Sequence, residues 1–210
     1  MSETIKLDRS FYLRDTLKVA QDLIGKILVH VTADGITKGR IVEGEAYMGP
    51  HDKGAHTYGG KMTGRTKTMF GLGGHAYVYI IYGMYDCMNV VTREEGCPQA
   101  VLIRALEPLE GQSLMKQRRG TEKETALCSG PGKLCRAMGI SRDQNWWDLC
   151  GDKLYLIDDG FRPSDKEGYE IAAGKRINIG YAEEAQDYLW RFYIKGNPHV
   201  SVKDKIIAAR

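Results

Sequence analysis

No two cysteines in this 210-residue chain are spaced as Cys-x-x-Cys, and their number is odd: Cys87, Cys97, Cys128, Cys135 and Cys150. That pattern argues against a disulfide framework and against a structural zinc site, and it fits reduced thiols inside a cell. The opening MSETIKLDRS lacks the apolar segment of a secretory leader, and no run approaches the length of a membrane span. The expectation is therefore a soluble, cytoplasmic protein with no membrane partner. A large excess of charge of one sign is also lacking, with 30 Lys and Arg against 27 Asp and Glu. A net charge of +3 permits a polyanionic partner without requiring one, since a local basic patch counts for more than the sum. Linkers, repeats and low-complexity tracts are missing too, so residues 1–210 read as one domain behind a short polar lead (1–8).

What is present centres on HAYVYIIYGMYDCMNVVT, His75 to Thr92. Tyr77 to Ile81 is aromatic and β-branched, Gly83 interrupts, and Cys87 to Val91 resumes the apolar run, which predicts a hairpin. Its tip would carry Tyr82, Met84 and Tyr85 with little charge to solvate them. Either the tip folds back on the core, or something receives it. A base stack entered from the minor groove is a fitting receiver for such a wedge.

Earlier in the chain, Thr16 to Ile24 has helical spacing behind a capping Asp15, with Gly25 at its end. Lys26 to Thr32 alternates as a strand, Asp34-Gly35 turns, and Ile36 to Glu45 returns. His30, inside that strand, reads as structural. Tyr47 to Gly74 has no period and many glycines, and loops of that length are commonly functional. After the central hairpin, Ala100 to Leu106 predicts an apolar strand with Arg104 embedded in it, a charge that needs a partner or a task. Pro108 then introduces an expected helix over Leu109 to Gln117. Pro131 opens another before Leu134 to Met138, its free N–H groups and Lys133 offering an anion site. Trp146-Trp147 reads as packing. Leu154 to Ile157, Gly174 to Gly180 and Leu189 to Ile194 are the remaining expected strands.

Glu43 and Glu45 are two apart on the second strand and so share a face. A carboxylate there would activate water, an effect of roughly a hundred- to ten-thousandfold in rate. A pair of solvated strand-end acids is the plain alternative, and Tyr47 and His56 nearby weigh against it. Glu43, Glu45, His51, Asp52 and His56 also contain enough ligands for a two-histidine, one-carboxylate metal site, although their spacing matches no helical ligand pair.

The segments RIVEGEAYMGPHDKGAHTYGG, MFGLGGHAYVYIIYGMYDCMNVV, VLIRALEPLEG, LCSGPGKLC and RFYIKGNPHVS resemble the alkyladenine (3-methyladenine) DNA glycosylase family. The resemblance runs from the first helix nearly to the C-terminus, weakest around residues 112–126 and 141–173. It implies a monofunctional base-excision enzyme with no cofactor or metal, acting as a monomer on double-stranded DNA with damaged purines, on the nucleoid in a bacterium or in the nucleus of a eukaryote. It implies a mixed α/β (α+β) fold, a single domain with a curved, mostly antiparallel sheet flanked by helices and a protruding hairpin. Residue by residue, it makes Glu45 the base that activates water, with Arg104 and a main-chain carbonyl near Ile179 holding that water. Tyr47 would stack on one face of the extruded base, with His56 and Tyr79 on the other, and Asn89 would crowd a purine 2-amino group. Tyr82 would fill the gap in the duplex, and Met84, Gly132, Lys133 and Arg65 would lie near the DNA backbone. A metal-dependent hydrolase built on His51, His56 and the two glutamates, and a non-catalytic minor-groove binder, are the competing functions.

Overall fold

The computed structural model describes residues 4–203. Nine strands form one sheet: β1 (Ile5–Lys6), β2 (Ile27–Thr32), β3 (Gly35–Tyr47), β4 (Ala76–Ile81), β5 (Tyr85–Thr92), β6 (Gln99–Glu110), β7 (Leu154–Asp158), β8 (Glu170–Gly174) and β9 (Arg191–Lys195). The main order is β1-β7-β2-β3-β6-β5-β4, and β9 adds to β3 and carries β8. All pairings between these strands are antiparallel. Among the described residues four α-helices accompany the sheet: α1 (Arg9–Tyr12), α2 (Thr16–Leu23), α3 (Gln112–Arg119) and α4 (Pro131–Met138). The mixed α/β class with an antiparallel sheet is the one expected.

Alternation along the strands explains what lies on each face. Ala76, Val78, Met88, Val90, Val101, Ile103 and Ala105 turn to the main core, where Leu23 of α2 and Leu134 and Met138 of α4 meet them. Each such valine, leucine, isoleucine or methionine, once buried, contributes roughly 1.5–3 kcal/mol, and each alanine less. Their neighbours Tyr77, Tyr79, Ile81, Asn89, Leu102 and Arg104 turn the other way, onto the cavity described below. On β3 the register against β6 shifts between Ile41 and Glu43 and again before Gly44. Consecutive Ile41 and Val42 both join the core there, as a bulge allows.

The capped helix at Thr16 is as expected. The Asp15 carboxylate accepts from the Leu17 and Lys18 N–H groups, and Gly25 follows at φ +94°. His30 is structural, its Nδ1 2.8 Å from the Met138 carbonyl. Trp147 packs on the core, whereas Trp146 is exposed.

Two expectations need correction. Leu109 does not start a helix: β6 runs on to Glu110, and α3 begins after Gly111, whose φ is +75°. Pro108 is tolerated because it lies opposite Gly39, next to a register irregularity where a ladder bond is not required. Gly174 to Gly180 is not a strand. β8 ends at Gly174, and the backbone beyond it turns inward to serve the site, with Asn178 at φ +59°.

Candidate active site

A cavity of about 300 Å³ opens on the side of the sheet away from the main core. That volume is at the small end of the roughly 300–1,000 Å³ of ligand pockets, a size for one ring system rather than a long chain. Tyr47 stands on one wall, resting on a small apolar cluster of Ile179, Ala182 and Ala185. Tyr79 stands on another, resting on Met69, Tyr77, Val91 and Ala100. His56 lies edge-on to Tyr79, with ring centroids 4.6 Å apart. Each aromatic wall thus has its own packed support, outside the central core.

Beneath these walls are the two glutamates, both without exposed surface. Glu45 Oε2 accepts from the Tyr47 hydroxyl at 2.9 Å, and Oε1 accepts from the Ile177 N–H at 2.7 Å. Arg104 Nη1 is 3.4 Å from Oε1. Glu45 does not itself border the cavity, but all three of these partners do. Burial pushes its carboxyl above the usual value of 4.5, against the pull of Arg104 and the two hydrogen bonds. Burial, with Glu45 beside it, also pushes the Tyr47 phenol far up, so that hydroxyl remains a donor. Glu43 is differently placed. It accepts from Arg104 Nε at 3.2 Å, Arg191 Nη1 at 3.0 Å and the Ser201 N–H at 2.7 Å, and of these partners only Arg104 borders the cavity.

The loops come together through a pair that sequence spacing did not reveal. Arg176 and Asp52, 124 residues apart and fully buried, form a two-pronged ion pair at 2.5 and 2.7 Å. Asp52 also accepts from the Met48 and Gly54 N–H groups, and Arg176 donates to the Ala46 and Ala185 carbonyls. The guanidinium carbon lies 4.8 Å from the Tyr47 ring centre, so the pair fixes that wall and both adjoining loops. An arginine in an expected strand and an aspartate in a glycine-rich loop were the only signals of it. Ile177, Asn178 and Tyr181, which border the cavity, gave none.

The β4–β5 hairpin overhangs the opening. Tyr82 and Gly83 have φ of +53° and +70°, and the Met84 N–H donates to the Ile81 carbonyl, the geometry of a primed hairpin turn. The tip does not fold back: Tyr82 is 76 % and Met84 68 % exposed. Ile81, Tyr82 and Tyr85 border the cavity, together with Pro131 and Gly132 at the start of α4. A Cβ at Gly132 would lie 2.9 Å from Tyr85 Cβ, so this approach of helix to hairpin needs glycine. Lys133 is exposed beside it. Asn89 donates its amide to the Tyr77 carbonyl at 3.1 Å, and Ile179 lines the cavity next to Asn178. Arg65 is exposed and its guanidinium rests against His56 and Tyr79.

The metal arrangement does not assemble. Among the described residues no three His, Cys, Asp or Glu side chains gather as ligands. Asp52 is held by Arg176, Glu43 by two arginines, and His51 borders a separate surface depression.

With that geometry in hand, comparison with known proteins decides the family. The model of the family described as methylpurine-DNA glycosylase matches residues 10–198. The chain belongs to the methylpurine-DNA glycosylase family. A protein of Clostridium acetobutylicum, provisionally named 3-methyladenine DNA glycosylase, is 54 % identical over 209 residues, covering 96 % of this chain and 100 % of that one. Proteins of the same provisional name from Desulfitobacterium hafniense and Bacillus cereus are 51 % and 53 % identical, covering 94 % and 92 % of this chain and 99 % and 98 % of theirs. Among the described residues no helix is long and apolar enough to cross a membrane.

Proposed function

We propose that the cavity receives a damaged purine swung out of duplex DNA, and that Glu45 activates the water that cuts its bond to the sugar. Membership of the family makes the chain a DNA glycosylase of base excision repair. The observation that carries the catalytic reading is the setting of Glu45, a buried acid whose three partners all border an aromatic cavity beneath an exposed wedge.

A purine must leave the stack before its glycosidic bond is reached, at a cost of a few kcal/mol that is least for a base already pairing badly. Tyr82, placed in the vacated site, offsets part of that cost. Met84, Gly132 and Lys133 follow the strand on either side. Inside, Tyr47 stacks on one face of the base and His56 with Tyr79 on the other, while Asn89 limits the room at purine C2. Aromatic walls hold a cationic, alkylated ring by about 0.5–2 kcal/mol. Departure of the base leaves an oxocarbenium-like sugar, and the Glu45 carboxylate stabilises that charge and takes the proton of the attacking water. Among the described residues Oε2 accepts from the Tyr47 hydroxyl alone, so a lone pair remains there for the water. Arg104 and the main chain at 177–179 complete its hold.

His56 does not serve as an acid for a neutral leaving base. Loss of surrounding water, and then Arg65, lowers its ring to about 4, so it is neutral at physiological pH. Incubating the protein with duplexes that carry one methylated, deaminated or etheno-modified purine, and identifying the released base, tests the proposal. Release of the free damaged base with an abasic strand is the expected result. Binding and bending of DNA without any base release would leave only an architectural role.

A further inference from the structure

Arg65 occupies a place that contact with the DNA backbone does not explain. Its guanidinium carbon is 4.7 Å from the centre of the Tyr79 ring, and Nη2 is 3.3 Å from His56 Nε2. Arginine only donates, so His56 Nε2 accepts, and the ring proton sits on Nδ1, 3.0 Å from the Tyr77 hydroxyl. Arg65 does not border the main cavity. It borders a shallow depression with Val78, Ile80, Arg142 and Asn145, and Tyr79 borders both spaces. The cation therefore stands behind the wall formed by His56 and Tyr79, one ring away from whatever occupies the cavity.

Charge balance singles this arginine out. Arg176, against Tyr47, is neutralised by the two-pronged Asp52, and Arg104 by Glu43 and Glu45. Arg65 has no carboxylate within ion-pair distance among the described residues; His56 and the Tyr79 ring are what it rests against. An uncompensated cation there opposes a second cation across the ring, and it already draws on the electron-rich ring that would attract one. A neutral purine suffers neither effect.

We infer that Arg65 sets the balance of lesion classes, weakening selection for formally cationic N-alkylated purines so that neutral damaged purines compete for the same pocket. This rests on the reading of the cavity as a base pocket and names what that pocket prefers. It makes Arg65 a specificity-determining residue, acting through the wall and not on the reacting atoms.

The test compares single-turnover excision of 7-methylguanine, which is cationic, with that of hypoxanthine, which is neutral, in one duplex context. Wild type, Arg65→Met and Arg65→Lys are measured with the full chain. Methionine keeps the apolar cover on Tyr79 without the charge, and lysine keeps the charge without the planar fork. Arg65→Met is expected to raise the ratio of cationic to neutral excision by about fivefold, or roughly 1 kcal/mol, and Arg65→Lys to leave it within about twofold. The ratio is internal to each preparation, so partial unfolding cancels. Equal loss on both lesions at an unchanged ratio overturns the inference and leaves Arg65 a positioning or backbone-binding residue. Release of neither base by the wild type overturns the base-pocket reading itself.

Discussion

Glu43 and Glu45 stand two residues apart on β3, equally buried and both against Arg104, yet the regions around them differ in kind. Two guanidiniums and the Ser201 N–H converge on Glu43, tying β3 to β6, to β9 and to the segment after β9. Glu45 has one guanidinium at 3.4 Å, and its closer partners are neutral donors borne by the cavity walls. A buried acid saturated by cations is a fastening. One held mainly by neutral donors keeps a raised pKa and a free lone pair, which is what a base needs.

The largest effects should fall on opposite properties of the two residues. Glu45→Gln is expected to lower single-turnover excision by about 10²–10⁴-fold while lesion DNA still binds. Glu43→Ala is expected to lower unfolding free energy by about 3–5 kcal/mol, because Arg104 and Arg191 lose a buried partner, with urea denaturation as the measurement. If Glu43→Ala were stable but inactive, or Glu45→Gln unfolded but otherwise competent, the division of roles would reverse.

A smaller effect belongs to the hairpin tip, which is exposed where the walls are supported. Tyr82→Ser should weaken retention of lesion duplex by about tenfold, in line with about 1–3 kcal/mol for stacking one base on one aromatic ring. The chemical step should change less, since the groups that hold Glu45 are Tyr47, Ile177 and Arg104 and not Tyr82. Stopped-flow flipping and single-turnover cleavage separate the two. Loss confined to the chemical step would place Tyr82 inside the reaction and not in the duplex.

This contrast also shows which parts of the molecule a sequence discloses. The hairpin, the Asp15 cap and the Glu45–Tyr47 pair depend on neighbours a few residues apart, where alternation, turn glycines and capping acids leave a pattern. The embedded Arg104 was legible as a charge in need of partners, although its partners were not named by that pattern. Asp52 with Arg176, and the Ile177 N–H on Glu45, join segments more than a hundred residues apart through irregular backbone. Pairings over such distances leave no mark in sequence spacing, and 174–180, which serves them, read as one more strand. Pro108 misled for a different reason: a proline opposite a glycine at a register irregularity does not stop a strand.

The finest test of the contrast is pH. Burial raises the Glu45 carboxyl above 4.5 in the folded protein, so the folded state holds that proton more tightly than the unfolded chain. Stability from the protonated form is complete below the unfolded value and is lost as pH rises through the folded one. Excision of a cationic lesion, which leaves without protonation, should climb over the same window as the carboxylate forms. The unfolding free energy of wild type relative to Glu45→Gln should therefore fall with rising pH while the wild-type rate rises. Both are measurable by urea unfolding and single-turnover assays from about pH 4.5 to 8. His56, lowered to about 4, is present in both proteins and cancels from the difference. A difference in stability that is flat with pH, or one that rises, would mean that Glu45 is held ionised as a fastening, and the distinction from Glu43 would be lost.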